Sequence, residues 1–520
     1  MKKFMQKKFF LSFIIWIYSA TLFSQESVIP TPQWRPLYHF TPLKNWTNDP
    51  NGLIYINGVY HLYNQQNPFE NKWGHMSWGH ATSSDLVNWK HLPIAMPEAI
   101  TNNGKNTTWR FSGCAVLDKN NTSGLCKNGS CIVAIYTADQ PDLKKESQFI
   151  AYSNDGGMHF TQYAGNPVID LHMKDFRDPN VTWNNQLKKW LMVVSLPQEN
   201  KVRFYASGNL KNWDLLSEFG NAGLKDGIWE CPSFFQLPVE GHPGKKKWVL
   251  MTSFGSSRGT MMQYFVGNFD GKNFTNDNPP DSAFLVDNGD CFYAAIPWNN
   301  LPDNQNIFIG WMVPPSRETF PWRGQMSIPR DLSLRETKNG TRLFQEPAAV
   351  IKNKLSKLSG NSVIELKSIP VNSLEENIFK GKNIRGNSYW LEAELSVPVN
   401  GIAGFKIAQK KDKNNKIIAE TVIGYDASKH QLYVDRTNAG NEKINRDKLI
   451  QTAGVMDSEG EIKLEILFDK SSLEVFINNG EKVLTTYVYP DNDAGLISAF
   501  SVGGKTSIQS LKFWNLSKIK

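Results

Sequence analysis

The chain has 520 residues, 40% hydrophobic and 20% charged, a globular composition too long for one ordinary core; this excludes a disordered chain and implies two or three domains. Removing the four lysines of the N-terminal leader takes the formal charge from +8 to +4 and leaves no basic stripe, which argues against nucleic acid as a partner. The 17 Trp exceed what core packing usually requires and suit a sugar-binding surface, although composition alone favours a β-rich core that packs with aromatics.

In chain order, MKKFMQKKFFLSFIIWIYSATLFSQ places those lysines before an apolar run from Phe9 to Phe23 and then small and polar residues, the order of a secretory signal over residues 1–25. The run is shorter than the ~20 apolar residues a spanning helix needs, and no later stretch could cross a bilayer. The expectation is an exported protein, periplasmic or extracellular, with no membrane span once the signal is removed. Five cysteines do not make a disulfide framework, but CKNGSC resembles a hairpin tip across which Cys126 and Cys131 could pair in an oxidising compartment. Neither cysteine has the further ligands nearby that a zinc site needs.

One short pattern recurs: HATSSDLVNW ending at Trp89, AYSNDGGMHF at Phe160, YASGNLKNW at Trp213 and VGNFDGKNF at Phe274. Each has a β-like lead-in, an Asp or Asn, a tight turn and an aromatic. The turn residues Asp85, Asp155, Asn209 and Asp270 are 70, 54 and 61 positions apart, with short strand-like runs such as KWLMVVSL between them. Repeats of this size fit four-stranded propeller blades with long loops, and about five fill residues 32–345. Polar residues keep the same beat: Asp49, Ser112, Asp178, Glu230 and Asp290, at gaps of 63, 66, 52 and 60. One such group per blade would converge on one end of the central channel.

After LFQEPAAV a Lys- and Ser-rich stretch leads into alternating runs such as YWLEAELSV and SSLEVFIN with NNG and GG turns, the style of an antiparallel β-sandwich over residues 358–520. The expected fold is all-β, a five-bladed β-propeller followed by a C-terminal β-sandwich. The boundary falls near Ala348 to Leu358.

Three of the phased acids sit in punctuated text, NDPNG around Asp49, FRDPN around Asp178 and WECPS around Glu230, which reads as rigid turns aiming carboxylates. Paired carboxylates are the minimum for cutting a glycosidic bond, one protonating the leaving oxygen and the other attacking or activating water. Glu230, between Trp229 and Cys231-Pro232, suits the proton donor. Asp49, beside Asn48 and the N–H groups of Asn-Gly, suits the ionised nucleophile. Asp178, whose charge Arg177 would preserve, suits a stabiliser of the cationic transition state.

WTNDPNG, YHLYNQQNPF, WGHMSWGHATSSDLVNW, WRFSGCAVLD, FRDPNV, WECPSFF and PWRGQMSIPRDL together strongly resemble glycoside hydrolase family 32, the invertases, inulinases and levanases, from about Trp34 to the C-terminus. The resemblance implies a five-bladed propeller followed by a sandwich, and retaining release of fructose from β-fructofuranosides such as levan, inulin or sucrose. It implies Asp49 as nucleophile, Glu230 as general acid/base and Asp178 as stabiliser. Asn48, Gln65, Trp73, Phe111, Ser112 and Arg177 would line the fructose pocket, with Trp322 joining them. No metal or organic cofactor would take part.

The sequence departs from the commoner family text at Thr47, at Asn64 and Gln66, at Cys291 beside Asp290, and in GWMVPPSRETF. These changes bear on the subsites beyond the first fructose, which separate sucrose, inulin and levan. The leading expectation is an exo-acting β-fructosidase; a fructosyltransferase of the same fold and a non-catalytic carbohydrate-binding protein stand as alternatives.

Overall fold

The computed structural model describes residues 32–101, 106–302, 305–315, 319–360, 363–380, 384, 386–440, 448–456 and 458–518. The expected signal at residues 1–25 lies outside them.

Five antiparallel sheets follow one another from Asn45 to Pro347. Their innermost strands are Asn45–Ile56, Asn106–Asp118, Arg177–Asn184, Ile228–Pro238 and Phe292–Pro297, and each packs against the next, the last returning to the first. This closed ring is a five-bladed β-propeller. Its closure uses a segment no pattern announces: Trp322–Arg323, from the fifth repeat, pairs in parallel with Asn45 and Trp46 of the first blade.

The recurring turn now has a cause. In each of the first four blades the Asp or Asn side chain accepts backbone N–H groups two to four residues on: Asp85 from Val87 and Asn88, Asp155 from Met158 and His159, Asn209 from Lys211 and Asn212, Asp270 from Lys272 and Asn273. These side chains satisfy a tight turn that the backbone alone would leave with free donors. The following aromatic then packs inward; Trp89, for example, meets Phe40 edge-on at 5.6 Å.

NDPNG, FRDPN and WECPS do not form turns, contrary to the sequence expectation. Each lies inside an inner strand, where the register slips, and the same slip occurs in all five blades: between Thr47 and Pro50, Arg110 and Gly113, Arg177 and Asn180, Glu230 and Ser233, Tyr293 and Ile296. A bulge adds a residue to one strand and re-aims its side chain. The Pro and Asn-Gly signals are therefore punctuation of bulges, which Pro tolerates because the ladder is already broken there.

The Lys- and Ser-rich stretch forms a helix, Ala349–Ser359, whose Ile351 and Leu355 are buried one turn apart. Beyond it two sheets pack face to face, one of six strands (Val363–Val371, Ser388–Ser396, Glu461–Asp469, Ser472–Ile477, Lys482–Tyr487 and Thr506–Asn515) and one of five. The six-stranded sheet is buried on both faces, and period-two alternation divides its side chains. Leu391, Ile466, Val475 and Phe513 face the sandwich core, while their neighbours Trp390, Leu467, Phe476 and Trp514 join Tyr38, Phe40 and Trp298 of the propeller in a shared cluster.

Candidate active site

At one mouth of the channel the bulged segments enclose a cavity of about 380 Å³. Asp49 lies in the first-blade bulge, held from below by a tightly packed floor: Gly52 has φ +51°, and a Cβ there would stand 2.7 Å from the Tyr63 ring and 2.8 Å from Trp78. Ser112 Oγ, from the bulge of the second blade, donates to Asp49 Oδ2 at 2.5 Å, and Asn48 Nδ2 donates to Oδ1 at 3.1 Å. Asn48 is itself fixed by Trp46 Nε1 at 2.8 Å. Burial raises the Asp49 pKa above its ordinary value; the bonds from Ser112 and Asn48 oppose the rise and the charge of Glu230 adds to it.

Asp178 has φ +66°, a left-handed conformation that its bulge imposes, and its N–H donates to Thr137 Oγ1 at 2.9 Å. Its Oδ2 accepts from the Cys231 N–H at 2.9 Å, and the Cys231 thiol lies 3.4 Å from Asp49 Oδ2 and 3.6 Å from Asp178 Oδ2. Burial pushes the Asp178 carboxyl upward in pKa. Arg177 opposes this, as expected from its charge, but without prevailing, because its guanidinium is spent elsewhere. Nε and Nη2 fork onto Glu230 Oε1 at 3.0 and 2.9 Å, and Nη1 reaches Asp175 at 2.7 Å and Glu146 at 3.2 Å.

Glu230 is not sheltered by its chain neighbours, another departure from the sequence expectation. Alternation along the strand sends Trp229 into the core, its Nε1 on Leu224 O at 2.7 Å, while Glu230 faces the cavity. There Tyr293 Oη donates to Oε2 at 2.6 Å. Burial, then the Glu230 charge, holds the Tyr293 pKa well above its ordinary value, so the phenol keeps its proton and acts as donor.

The structure brings together Asn48, Asp49, Gln65, Trp73, Phe111, Ser112, Arg177, Asp178 and Glu230 around this cavity. Gln65 is anchored through Nε2 on Arg110 O at 2.7 Å. Trp73, 52% exposed, stands at the rim edge-on to Trp109 at 5.2 Å. Trp322 does not line the cavity: pairing with Asn45 turns its ring into the protein, 1% exposed, with the Arg35 guanidinium 4.0 Å above it. Asp290 also lies elsewhere, accepting from Arg436 at 2.5 Å and Thr486 at 2.8 Å across to the sandwich. The fifth-blade bulge begins at Tyr293, 63 positions after Glu230, so Tyr293 takes the place Asp290 was expected to hold.

Sequence reasoning missed Tyr293, Trp311, Asp139, Glu146, Lys174 and Asp175, which complete the lining. Tyr293 keeps the spacing of the other inner-strand groups and differs from them only in being aromatic. Asp139 and Glu146 come from the second and third strands of their blade and have no shared beat. Burial first, then the charge of Glu146, lifts Asp139 to about 7.

Three carboxylates on the inner strands of one propeller, within a pocket floored by aromatics, define a carbohydrate-cleaving propeller enzyme. Family models agree along nearly the whole chain: the glycosyl hydrolases family 32 N-terminal domain matches residues 39–347 and the family 32 C-terminal domain residues 354–515. The chain belongs to glycosyl hydrolases family 32. It is 41% identical over 507 residues to a levanase of Bacillus subtilis, covering 94% of this chain and 71% of that protein, and 39% identical over 513 residues to an extracellular exo-inulinase of Aspergillus ficuum, covering 91% and 93%. Its fold matches the crystal structure of exo-inulinase from Aspergillus awamori with a TM-score of 0.84 at 35% identity, over 93% of this chain and 98% of that one. A fructofuranosidase from Schwanniomyces occidentalis complexed with fructose matches at 0.80 and 30%, over 94% and 100%.

Proposed function

We propose that this protein is an exported, exo-acting β-fructofuranosidase that removes terminal fructose from fructans, fructo-oligosaccharides or sucrose with retention of configuration. The observation that carries the reading is the convergence of Asp49, Asp178 and Glu230 on one cavity, each with different partners. The names of the relatives, levanase and exo-inulinase, support the substrate class.

Asp49, aligned by Ser112 and Asn48, attacks the anomeric carbon of the terminal fructosyl unit while Glu230, oriented by Arg177 and Tyr293, gives its proton to the departing glycosidic oxygen. The bond to the leaving sugar breaks and a fructosyl ester on Asp49 forms. Water then enters, Glu230 takes its proton, and attack at the same carbon frees fructose and returns both carboxyls to their starting states. Asp178, one oxygen held by Cys231, offers the other to fructosyl hydroxyls, with Asn48 and Gln65 adding amide contacts. Trp73 and Phe111 give the next sugar an apolar wall. A cavity closed by five blades takes a chain end rather than a chain middle.

Export is supported by the leader and by the Cys126–Cys131 bond, a linkage of oxidising compartments. Among the described residues no helix is long and apolar enough to cross a membrane. Chromatography of products from levan, inulin and sucrose tests the substrate reading. Free fructose from the outset, with no intermediate oligosaccharides, is expected; a ladder of oligosaccharides from the polymers would overturn exo action, and transfer products from sucrose alone would favour a fructosyltransferase.

A further inference from the structure

The inner strands run from the catalytic mouth to the opposite mouth of the channel, and that far mouth is also hollowed. Two cavities of about 420 and 490 Å³ share Thr182, Trp183, Asn185, Asn299 and Asn300, and so lie side by side as the two halves of one hollowed surface, here called the groove. It lies at the C-terminal ends of the inner strands. Trp183 is five residues beyond Asp178 on the strand Arg177–Asn184, roughly 16 Å away at the usual strand rise.

The polar lining of the groove consists mainly of amides and hydroxyls. The Asp118 carboxylate is consumed by Thr122 and Ser123, and Lys119 and Lys246 are exposed at the edge. Two half-buried indoles, Trp183 and Trp248, stand among those amides. Trp183 is propped edge-on by Trp190 at 5.0 Å, and the side chains of Asn180, Thr182 and Asn185 have no hydrogen-bond partner within the described residues. Amides donate and accept at once, as sugar hydroxyls do, and an indole face suits the C–H face of a sugar ring. Two edge lysines are fewer than the row of cations that a phosphate backbone engages.

We propose that this groove is a second carbohydrate-binding site, taking an internal stretch of a neutral polysaccharide while the catalytic pocket takes chain ends. It stands independently of the reaction assigned above. The polysaccharide could be the fructan being degraded or another neutral polymer carried alongside it, and the chemistry is the same for both.

The test uses the full chain carrying Asp49→Ala, so that no polymer is consumed, in native gels containing levan, inulin or dextran, with free fructose added to occupy the catalytic pocket. Retardation by at least one polymer is expected, and Trp183→Ala should raise the apparent Kd by about tenfold, the effect of losing an aromatic anchor. Asn185→Ala, an exposed position, should weaken binding in the same direction and guards against misfolding of the Trp variant. Retardation by the fructans identifies the substrate as the occupant, and retardation by dextran alone identifies a separate polymer. No retardation by any of the three, or retardation unchanged by both replacements, would overturn the proposal. Because the gel reads binding without turnover, its failure is distinct from a failure to release fructose in the product assay.

Discussion

At the scale of single residues, the site is a set of hydrogen bonds that counteract burial. To act as the proposed nucleophile Asp49 must be ionised, yet burial raises its pKa, and Ser112 is the closest donor opposing that rise. Ser112→Ala should lower kcat/KM roughly 10- to 100-fold, the usual range for a bond to a charged group, and shift the acidic limb of its pH profile upward. A limb that stays in place would remove Ser112 from this role. Tyr293→Phe should lower kcat about 10-fold or more with little change in KM, since in the proposed mechanism the phenol orients the proton donor rather than gripping sugar. Asp139 is a separate case, because its pKa of about 7 means the folded chain resists its ionisation. That cost is absent below the ordinary carboxylate range, grows as pH rises to about 7 and is constant above it. Asp139→Asn should therefore raise Tm at pH 8 by about 2 °C and leave it unchanged at pH 4. That Asp49, Asp178 and Glu230 share one cavity could be read from the sequence because they carry both phase and punctuation. Tyr293 keeps the phase but lacks the punctuation, and because an aromatic in a β-rich chain is ordinarily a core residue only its spacing marks it.

At the scale of elements, the propeller repeat was legible because the same side-chain-capped turn recurs between the outer strands of the first four blades. Asp85 illustrates its worth: it accepts two backbone N–H groups and also pairs with Lys354 on the helix Ala349–Ser359 at 2.9 Å. Asp85→Ala should cost about 1–2 kcal/mol in urea denaturation at pH 7. Those hydrogen bonds and Lys354 hold the Asp85 pKa below its ordinary value despite burial, so its contribution is present above the unfolded value and fades in strong acid. A loss of equal size at pH 2 and pH 7 would contradict this. The inner bulges were only half legible. Asp-Pro and Asn-Gly signal a broken ladder, but the text is the same for a turn and for a bulge, and the choice depends on the neighbouring blade. The helix was missed because its Lys and Ser residues dilute the apolar spacing to Ile351 and Leu355, and the closing strand Trp322–Arg323 is too short to have a period.

At the scale of the whole molecule, the sandwich is built into the propeller rather than hung from it. His39, on the segment leading into the propeller, is buried between Asp469 at 2.9 Å and Glu474 at 3.0 Å of the sandwich, and Arg330 bridges Asp287 and Glu474 at 2.9 and 2.5 Å. Burial alone would discharge His39, but its two carboxylate partners override it and raise its pKa to about 9. Its contribution to stability is therefore fully present below pH 6.5 and is lost as pH climbs through 9. His39→Gln should destabilise by about 3 kcal/mol at pH 6, with the difference narrowing at pH 10. Removing everything after Leu358 would expose the shared Tyr38, Phe40 and Trp298 cluster and should yield an aggregating protein; a soluble, active truncation would show that the sandwich is dispensable.

The central claim, that Asp49 forms a fructosyl ester which Glu230 helps to make and break, has a direct test. Glu230→Ala protein, incubated with a fructosyl fluoride whose leaving group needs no proton, should accumulate the ester because no base remains to activate water. Mass spectrometry of the intact chain should then show the mass of one added fructosyl residue, and the digest should place it on the peptide containing Asp49. An unmodified chain, or a fructosyl group on any other residue, would contradict the account.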